Sequence, residues 1–129
     1  MSDFSNALNV TTTGLQAQAA RLRLLSENIA NVDTPGYRRK TMPFEALPTA
    51  ADVTGVRAGD VTLDRSDLEK IHDPAHPLAD ETGHYLGSNV DLIIEIADAR
   101  EAQRSYEANL KMFDQTRQMA TSLMDLLRR

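Results

Sequence analysis

A histidine-rich stretch between residues 72 and 84 contains the side chains of this chain that could bind a metal. They are His72, His76 and His84, with Asp73 and Asp80 nearby. Imidazole and carboxylate groups are common zinc ligands, but a helix would be needed to place His72 and His76 on one face. Pro74 and Pro77 exclude that helix, and neither a cysteine nor an HExxH motif supports the site. We therefore expect solvated loop histidines and no bound metal.

Pairs of acidic residues near the C-terminus could serve in general acid–base catalysis. The pairs are Glu95 with Asp98 and Glu101 with Asp125. All four lie in a segment with amphipathic helical spacing, where charged residues are typical of the solvated face. The chain has no GxSxG nucleophile motif and no glycine-rich loop that could bind phosphates. The sequence therefore predicts solvated carboxylates, no enzymatic activity and no cofactor.

The composition argues against several classes of protein. The chain has 129 residues, of which 41% are hydrophobic and 26% charged, and its formal net charge is −5. A negative net charge disfavours nucleic-acid binding, which needs an extended basic surface. The only basic run, Arg38 to Lys40, is expected either to be solvated or to contact an acidic neighbouring subunit. We expect neither a cleaved signal peptide nor a transmembrane segment, and the absence of cysteine excludes disulfides.

Two long stretches, one at each end of the chain, have the apolar spacing of amphipathic helices. From Phe4 to Ile29 and from Leu92 to Leu127, apolar residues recur at alternating three- and four-residue steps. This repeat predicts a mainly α fold in which the two helices pair as an antiparallel coiled-coil hairpin. The residues predicted to pack between them are Leu8, Leu15, Leu22, Leu25 and Ile29 on the first helix, and Ile96, Tyr106, Leu110, Phe113 and Met124 on the second.

The second helix has a further apolar stripe that a hairpin cannot bury. Its residues are Met112, Met119, Leu123 and Leu126, about 100° around the helix from the first set. Leaving a large apolar side chain in water forfeits about 1.5–3 kcal/mol relative to full burial. We therefore predict that these four residues form an interface with neighbouring subunits.

The segment between the helices has a different composition and contains all five prolines. We divide the chain into residues 1–34 and 88–129, which together form the helical domain, and a middle segment of residues 35–87. The first helix should end near Asn31, because the residue before Pro35 disfavours helical dihedrals. Pro35-Gly36 then predicts a type II turn. Strand-like runs at 53–57 and 60–63, separated by Gly59, predict a small β-hairpin, with a third run at 84–86.

Polar residues at the helix ends predict caps. Asn31 is expected to cap the C-terminus of the first helix. Ser88 and Asp91 resemble a capping box at the start of the second helix. Asn28 lies one turn inside the first helix, and we expect its side chain to contact either a neighbouring subunit or solvent.

One stretch resembles a signature of the bacterial flagellar axial proteins, the family of rod, hook and distal rod proteins. The signature runs approximately A-x-N-x-A-N-x-x-T-P-G-Y, and it is matched here by Asn28, Ala30, Asn31, Thr34, Pro35, Gly36 and Tyr37. Residues 73–80 (DPAHPLAD), 89–91 (NVD) and 104–109 (RSYEAN) are similar to one of two sister types of proximal rod protein. The other type, FlgB, is the alternative. Ser26-Glu27 departs from the usual pattern of the signature.

The resemblance implies a structural subunit of the proximal rod in the flagellar basal body. Such subunits polymerise through their terminal helices into the hollow drive shaft that transmits torque. The implied partners are other copies of the chain, the rod proteins FlgB, FlgF and FlgG, FliE, and the flagellar type III export apparatus. The implied location is the rod in the periplasmic space, reached without a cleaved signal peptide, and no nucleic-acid binding or membrane insertion is expected.

A different class of function also fits the helical pattern, namely a small coiled-coil adaptor or export chaperone. Such a protein should fold alone as a discrete dimer. A rod subunit should instead be poorly helical as a dilute monomer and gain helix when it assembles.

Overall fold

Two long helices dominate the structure, a computed structural model that describes residues 2–48 and 53–128. Helix α1 spans Ser2–Ala30, 29 residues, and helix α2 spans Leu92–Leu127, 36 residues. At 1.5 Å per residue, they are about 44 Å and 54 Å long. The prediction of a mainly α fold with a long helix at each end is confirmed. Within the described ranges, no helix is both long and apolar enough to cross a bilayer.

The two helices lie antiparallel, and three contacts fix their register. A Cβ on Gly14 would lie 3.0 Å from the side-chain amide nitrogen of Asn109. The Nη2 atom of Arg21 lies 3.7 Å from Oε2 of Glu101, and the Nδ2 atom of Asn28 lies 3.4 Å from Oε2 of Glu95. The two residue numbers in each of these pairs add up to 122 or 123. By the same relation, the start of α1 lies opposite residue 120 or 121 of α2.

The C-terminal end of α2 therefore extends beyond α1. We call residues 122–128 the α2 overhang, and every residue in it is exposed. At 1.5 Å per residue it is about 10 Å long. The buried apolar side chains of the described residues lie elsewhere on the helices, at Ala17, Leu24, Leu25 and Ala102. The apolar core between the helices is therefore thin.

In the described part of the middle segment, six short strands form three two-stranded antiparallel pairs. The strands are β1 (Lys40–Thr41), β2 (Phe44–Pro48), β3 (Thr54–Ala58), β4 (Thr62–Leu63), β5 (Lys70–His72) and β6 (His84–Leu86). β1 pairs with β4, β2 with β3, and β5 with β6. β1 and β2 lie on one stretch of the chain and β3 and β4 on another, so the first two pairs form one two-stranded unit. We call this unit the β-ribbon. We call the third pair, with its connection, the β5–β6 arm.

The β-hairpin predicted from the sequence is wrong in its strand pairing. Strands do form close to both expected runs, as β3 and β4, but they do not pair with each other. Between the two pairs of the ribbon, residues 42–43 lie opposite residues 59–61, so one strand has an extra residue, as in a β-bulge. Gly59 lies there, and its N–H donates to the carbonyl oxygen of Pro43 at 2.7 Å. Gly59, which was predicted to separate the two strands of a hairpin, therefore lies at the bulge that interrupts the β-ribbon.

The β-ribbon packs against the first half of α1. The backbone N–H of Val56 donates to the hydroxyl oxygen of Thr13 at 3.2 Å, and that hydroxyl donates to the carbonyl oxygen of Val10 at 2.7 Å. Gly55 is buried at this contact. A Cβ at that position would lie 2.7 Å from the Thr13 hydroxyl oxygen. A glycine is therefore required for the ribbon to approach the helix this closely.

We predict that Gly55→Ala destabilises the folded chain, because the added methyl group overlaps Thr13 and moves the ribbon away from α1. Overpacking of this kind costs about 1–3 kcal/mol. The measurement is urea unfolding followed by circular dichroism at 222 nm. The double variant Gly55→Ala with Thr13→Ala should recover part of the loss, since the atoms in the way are gone. Equal stability of Gly55→Ala and the unmodified chain would contradict this close approach.

Candidate functional site at the two ends of the helical hairpin

The side chain of Asn28 is the centre of the end where α1 finishes and α2 begins. It is completely buried. Its Oδ1 accepts from the Tyr37 hydroxyl at 2.8 Å and from the Lys40 N–H at 3.0 Å. Its Nδ2 donates to the Lys40 carbonyl oxygen at 2.9 Å and to Glu95 Oε2 at 3.4 Å. The amide thus binds both backbone groups of Lys40, as a neighbouring strand would, and we call this set of contacts the Asn28 clamp.

The expectation that Asn28 contacts a neighbouring subunit or solvent is wrong. The chain turns back after α1, and residues 37–40 cover the side chain from within the same molecule. A signal was present in the sequence, because Asn28 follows Leu24 by four residues and Leu25 by three, on the buried face of α1. A polar residue on that face needs buried partners.

The turn after α1 brings the covering segment into place. Tyr37 N–H donates to the Thr34 carbonyl oxygen at 3.2 Å, and Gly36 has a φ of 75°. The predicted Pro35-Gly36 turn is therefore confirmed, with glycine at the position that needs a positive φ. Gly36 N–H also donates to the carbonyl oxygens of Leu86 and Gly87, at 3.2 and 3.1 Å. This pair of hydrogen bonds ties the turn to the β5–β6 arm.

Asn31 caps α1, as predicted. Its Nδ2 donates to the Glu27 carbonyl oxygen at 2.8 Å, and its Oδ1 accepts from the Thr34 hydroxyl at 3.0 Å. The signature residues Asn28, Asn31, Gly36 and Tyr37 thus act together in this structure to end the helix and reverse the chain.

An arginine surrounded by three carboxylates extends the clamp to α2. Arg39 forms ion pairs with Glu95, with Asp98 at 3.7 Å and with Asp64 at 3.9 Å. Glu95 is completely buried. It lies in the first turn of α2, where the helix dipole favours a negative charge. The pairing with Arg39 and Asn28 is what makes the burial of this charge tolerable, because an unpaired buried carboxylate is very costly.

Two expectations about charged residues are therefore wrong. Glu95 is not a solvated carboxylate, since it lies on the same buried face of α2 as Ala102 and is ion-paired across the helices. The run Arg38 to Lys40 is not simply solvated, because each of its side chains has a partner within the chain. Arg38 donates to the carbonyl oxygen of Ser66 at 3.1 Å, Arg39 pairs as described, and Lys40 forms an ion pair with Glu27.

The segment before α2 is fastened by its own polar side chains. Asn89 Oδ1 accepts from the Arg39 N–H at 2.6 Å, and its Nδ2 donates to the Asp64 carbonyl oxygen at 3.0 Å. Asp91 is the N-cap of α2 and accepts from the N–H groups of Ile93 and Ile94. The predicted capping box is wrong in its first member, because Ser88 is not the cap. Its hydroxyl donates to the Val32 carbonyl oxygen and joins this segment to the end of α1.

The four residues predicted to meet neighbouring subunits lie on an exposed face of α2. Met112, Met119, Leu123 and Leu126 are 58%, 54%, 38% and 63% exposed. We call them the α2 stripe. At 100° per residue, the stripe lies about 90° around α2 from the side that contacts α1. Met112 and Met119 also line a groove of about 620 Å³ together with Ala7 and Val10 of α1.

The residues predicted to pack between the helices differ in how well one chain covers them. Leu25 is buried, and the half-buried members are Leu8, Leu15, Leu22, Ile29, Tyr106 and Phe113. Ile96, Leu110 and Met124 are exposed. Met124 lies in the α2 overhang, where no described residue of α1 lies opposite it. One hairpin therefore covers the apolar side chains of this set only in part.

The three histidines lie on the β5–β6 arm and make ring contacts. His72 and His84 are cross-strand neighbours with ring centroids 4.7 Å apart, and His76 stacks on Tyr85 at 3.8 Å. In residues 2–48 and 53–128, no group of three or more His, Cys, Asp or Glu side chains is arranged to hold a metal ion.

Two family models match the chain in the regions that build these features. The model described as "Flagella basal body rod protein" matches residues 8–38, and "Flagellar basal body rod FlgEFG protein C-terminal" matches residues 81–126. The first match contains the Asn28, Asn31 and Gly36 positions, and the second contains all of α2 except its last residue.

Relatives of almost the same length are also found, each named flagellar basal-body rod protein FlgC. The one from Agrobacterium fabrum is 43% identical over 136 residues, which cover 99% of this chain and 98% of the relative. The one from Borreliella burgdorferi is 33% identical, with 95% and 96% covered. The one from Escherichia coli O157:H7 is 31% identical, with 94% and 96% covered.

We predict that Asn28→Ala strongly destabilises the chain, because it leaves the Tyr37 hydroxyl and both backbone groups of Lys40 without this partner. A buried group that loses its hydrogen bond costs about 1–3 kcal/mol, so a total of about 3 kcal/mol or more is expected. Urea unfolding measures the loss. The matched control is Asn31→Ala, whose partly exposed cap can be replaced by water and should cost about 1 kcal/mol. Similar losses for the two variants would argue against a buried clamp.

We predict a loss of stability at alkaline pH that depends on Tyr37. Burial, and next the charge of Glu27, raise the pKa of Tyr37 above its usual value, and the hydrogen bond to Glu27 raises the pKa of Lys40. A group with a raised folded-state pKa contributes stability below its unfolded value, about 10 for tyrosine, and that contribution is lost as pH rises through the folded value. Absorbance at 295 nm and circular dichroism between about pH 9 and 12 should show this loss. Tyr37→Phe should lose less stability over that range, and an identical profile would contradict the prediction.

Proposed function

This chain belongs to the flagellar basal-body rod protein family, in which its matched relatives are FlgC proteins, and we propose that its α2 stripe binds neighbouring rod subunits. The chain is a structural subunit of the basal-body rod, as the signature at the end of α1 predicted. The FlgB alternative is not favoured, because relatives that match almost the whole chain, such as those from Agrobacterium fabrum and Borreliella burgdorferi, are FlgC proteins. The rod assignment also replaces the adaptor or export-chaperone alternative.

The exposure of the α2 stripe is the observation that supports this interface. Its four side chains are large and apolar, and each is between 38% and 63% exposed. Covering the exposed part contributes on the order of 1 kcal/mol per side chain. Helices of neighbouring subunits offer apolar cover of the same shape, since they carry the same repeat. The hydrophobic gain in this proposal comes from assembly and not from the folding of one chain.

The Asn28 clamp gives the interface a fixed orientation. The clamp joins the end of α1 to the start of α2 through Glu95 and Arg39, so the two helices keep one register. A subunit that transmits torque must resist sliding of one helix along the other. Buried, fully hydrogen-bonded polar groups resist such sliding, because any shift leaves them without partners. We propose that the clamp carries load within each subunit while the α2 stripe carries it between subunits.

The partners in this proposal are other copies of the chain and the other rod components FlgB, FlgF, FlgG and FliE. Export by the flagellar type III apparatus, without a cleaved signal peptide, would deliver the chain to the rod in the periplasm. The chain has no cysteine, so its folding after export does not depend on disulfide formation. The ion pairs and hydrogen bonds of the clamp all come from one chain and can form before a neighbour is met.

We predict that Met119→Asp and Leu123→Asp each block incorporation into the rod and abolish swimming, because the interface would bury an unpaired carboxylate. Swimming is measured in soft agar and rod formation by electron microscopy of isolated basal bodies. Export should remain at the normal level, measured as the amount of the chain in the periplasmic fraction.

The matched control is Gln118→Asp, which adds the same charge at an exposed position beside Met119 but outside the α2 stripe. It should leave swimming unchanged. Circular dichroism of the purified variants checks that their folds are the same. Normal swimming of Met119→Asp and Leu123→Asp would overturn the proposed interface.

A further inference from the structure

The β5–β6 arm brings two histidines together on one face. His72 of β5 lies directly opposite His84 of β6 in the strand register. At the next position along the ladder, the Asp73 N–H donates to the Gly83 carbonyl oxygen at 2.9 Å. Hydrogen-bonded and non-hydrogen-bonded pairs alternate along an antiparallel ladder, so His72 and His84 form a non-hydrogen-bonded pair. In pairs of this kind the opposite side chains lie closest to each other.

The separation of the two rings is that of two imidazoles bound to one metal ion. Their centroids lie 4.7 Å apart and the rings are tilted by 53°, so they do not stack face to face. A metal ion lies about 2.0–2.1 Å from a histidine nitrogen, which places it about 3.2 Å from the ring centroid. Two rings that meet at one ion at about 90–110° therefore have centroids about 4.5–5.2 Å apart. The observed separation lies within this range.

The neighbouring Thr82 fixes which nitrogen of His84 is free. Its hydroxyl oxygen lies 2.6 Å from Asp80 Oδ1 and 3.0 Å from His84 Nδ1. The hydroxyl has one hydrogen and an ionised carboxylate can only accept, so that hydrogen goes to Asp80. The Thr82 oxygen then accepts from the Nδ1–H of His84, which leaves a lone pair on Nε2. Histidines that bind metals are oriented in this way, with their other N–H donated to a neighbouring acceptor.

A glycine makes room for the ring of His72. Gly83 is buried and has a φ of 79°. A Cβ at this position would lie 3.1 Å from Cε1 of His72, so a side chain there would press against the ring. His72 itself is exposed and His84 is half-buried, so an ion can reach both from solvent. Residues 70–86 contain three acidic residues and one basic residue, a balance that favours a cation.

We propose that His72 and His84 bind one copper(II) ion, with water in its remaining positions. Zinc sites in proteins have three or four protein ligands, and the described residues offer no group of three His, Cys, Asp or Glu side chains that could hold an ion. Copper(II) accepts tetragonal sites of nitrogen and oxygen ligands, and it binds them more tightly than the other divalent ions of its row. A pair of imidazoles completed by water therefore suits copper(II).

The structure pairs His72 with a different histidine from the one considered in the sequence. His76 is excluded as its partner, because no helix spans the two, but strand pairing brings His84 to His72 instead. His76 stacks on Tyr85, whose side chain lies on the opposite face of β6 from that of His84. His76 therefore lies outside the site.

The bound ion joins β5 to β6 and so stabilises the arm. The arm in turn holds the turn after α1, because the Gly36 N–H donates to the carbonyl oxygens of Leu86 and Gly87. A ligand that binds the folded state and not the unfolded chain raises the stability of the fold. The site contains no residue of the α2 stripe, so this inference does not depend on the proposed contact between rod subunits.

Titration of the purified full-length chain with copper(II) chloride, followed by electron paramagnetic resonance, tests the site. We expect one tightly bound ion per chain, with hyperfine splitting from two imidazole nitrogens. His72→Ala and His84→Ala should each weaken binding about a hundredfold or more, because the second ligand of a pair binds at a high effective concentration. Thr82→Val should weaken binding about tenfold, because His84 loses the acceptor that orients it.

His76→Ala is the matched control, since it removes a histidine from the same arm and should leave the affinity unchanged. Circular dichroism checks that every variant keeps the fold. Copper(II) should also raise the midpoint of thermal unfolding more for the unmodified chain than for His72→Ala. Equal affinities of His72→Ala and the unmodified chain would overturn the proposal. A spectrum with a single imidazole nitrogen, or a loss of affinity in His76→Ala as large as that in His72→Ala, would overturn it as well.

Discussion

The fold depends on one buried amide that joins three separate parts of the chain. Asn28 lies on α1, Tyr37 and Lys40 lie on the segment that returns along it, and Glu95 lies on α2. A buried amide tolerates very little displacement, because each lost hydrogen bond leaves a polar group unpaired. This requirement sets where α1 stops, where the chain reverses and how far along α1 the second helix starts. Hydrophobic packing alone, with so few buried apolar side chains, would leave that register poorly fixed.

The stability of the molecule is unevenly distributed between its two ends. At the end with the Asn28 clamp, polar groups find partners within the chain, and the buried charge of Glu95 is balanced by Arg39. At the other end, helix α2 runs past the start of α1 and its side chains are open to solvent. The end with the clamp makes its stabilising contacts when the chain folds, while the other end gains stability only from contact with another molecule. A subunit divided in this way can keep its own fold and still gain stability by joining a polymer.

The sequence predicts the helices well and the polar contacts poorly, for reasons that can be stated residue by residue. The repeat from Phe4 to Ile29 and from Leu92 onward is long and regular, so both helices and the Asn31 cap follow from local pattern. The pairing of β1 and β4 depends on strands of two residues, which are too short to show alternation. The partners of Glu95 lie 56 and 67 residues away, and no local pattern indicates them. The position of Asn28 on a buried face was the one available sign that a polar network existed.

The unequal length of the two helices has a mechanical consequence. At the end of the hairpin away from the Asn28 clamp, α2 runs about 10 Å past the start of α1, so the two helices finish at different heights there. A cross-section through the α2 overhang therefore passes through α2 alone, whereas at the clamp end Ala30 lies opposite Leu92 and both helices finish level. A bending load applied at this stepped end would therefore reach the paired helices only through α2.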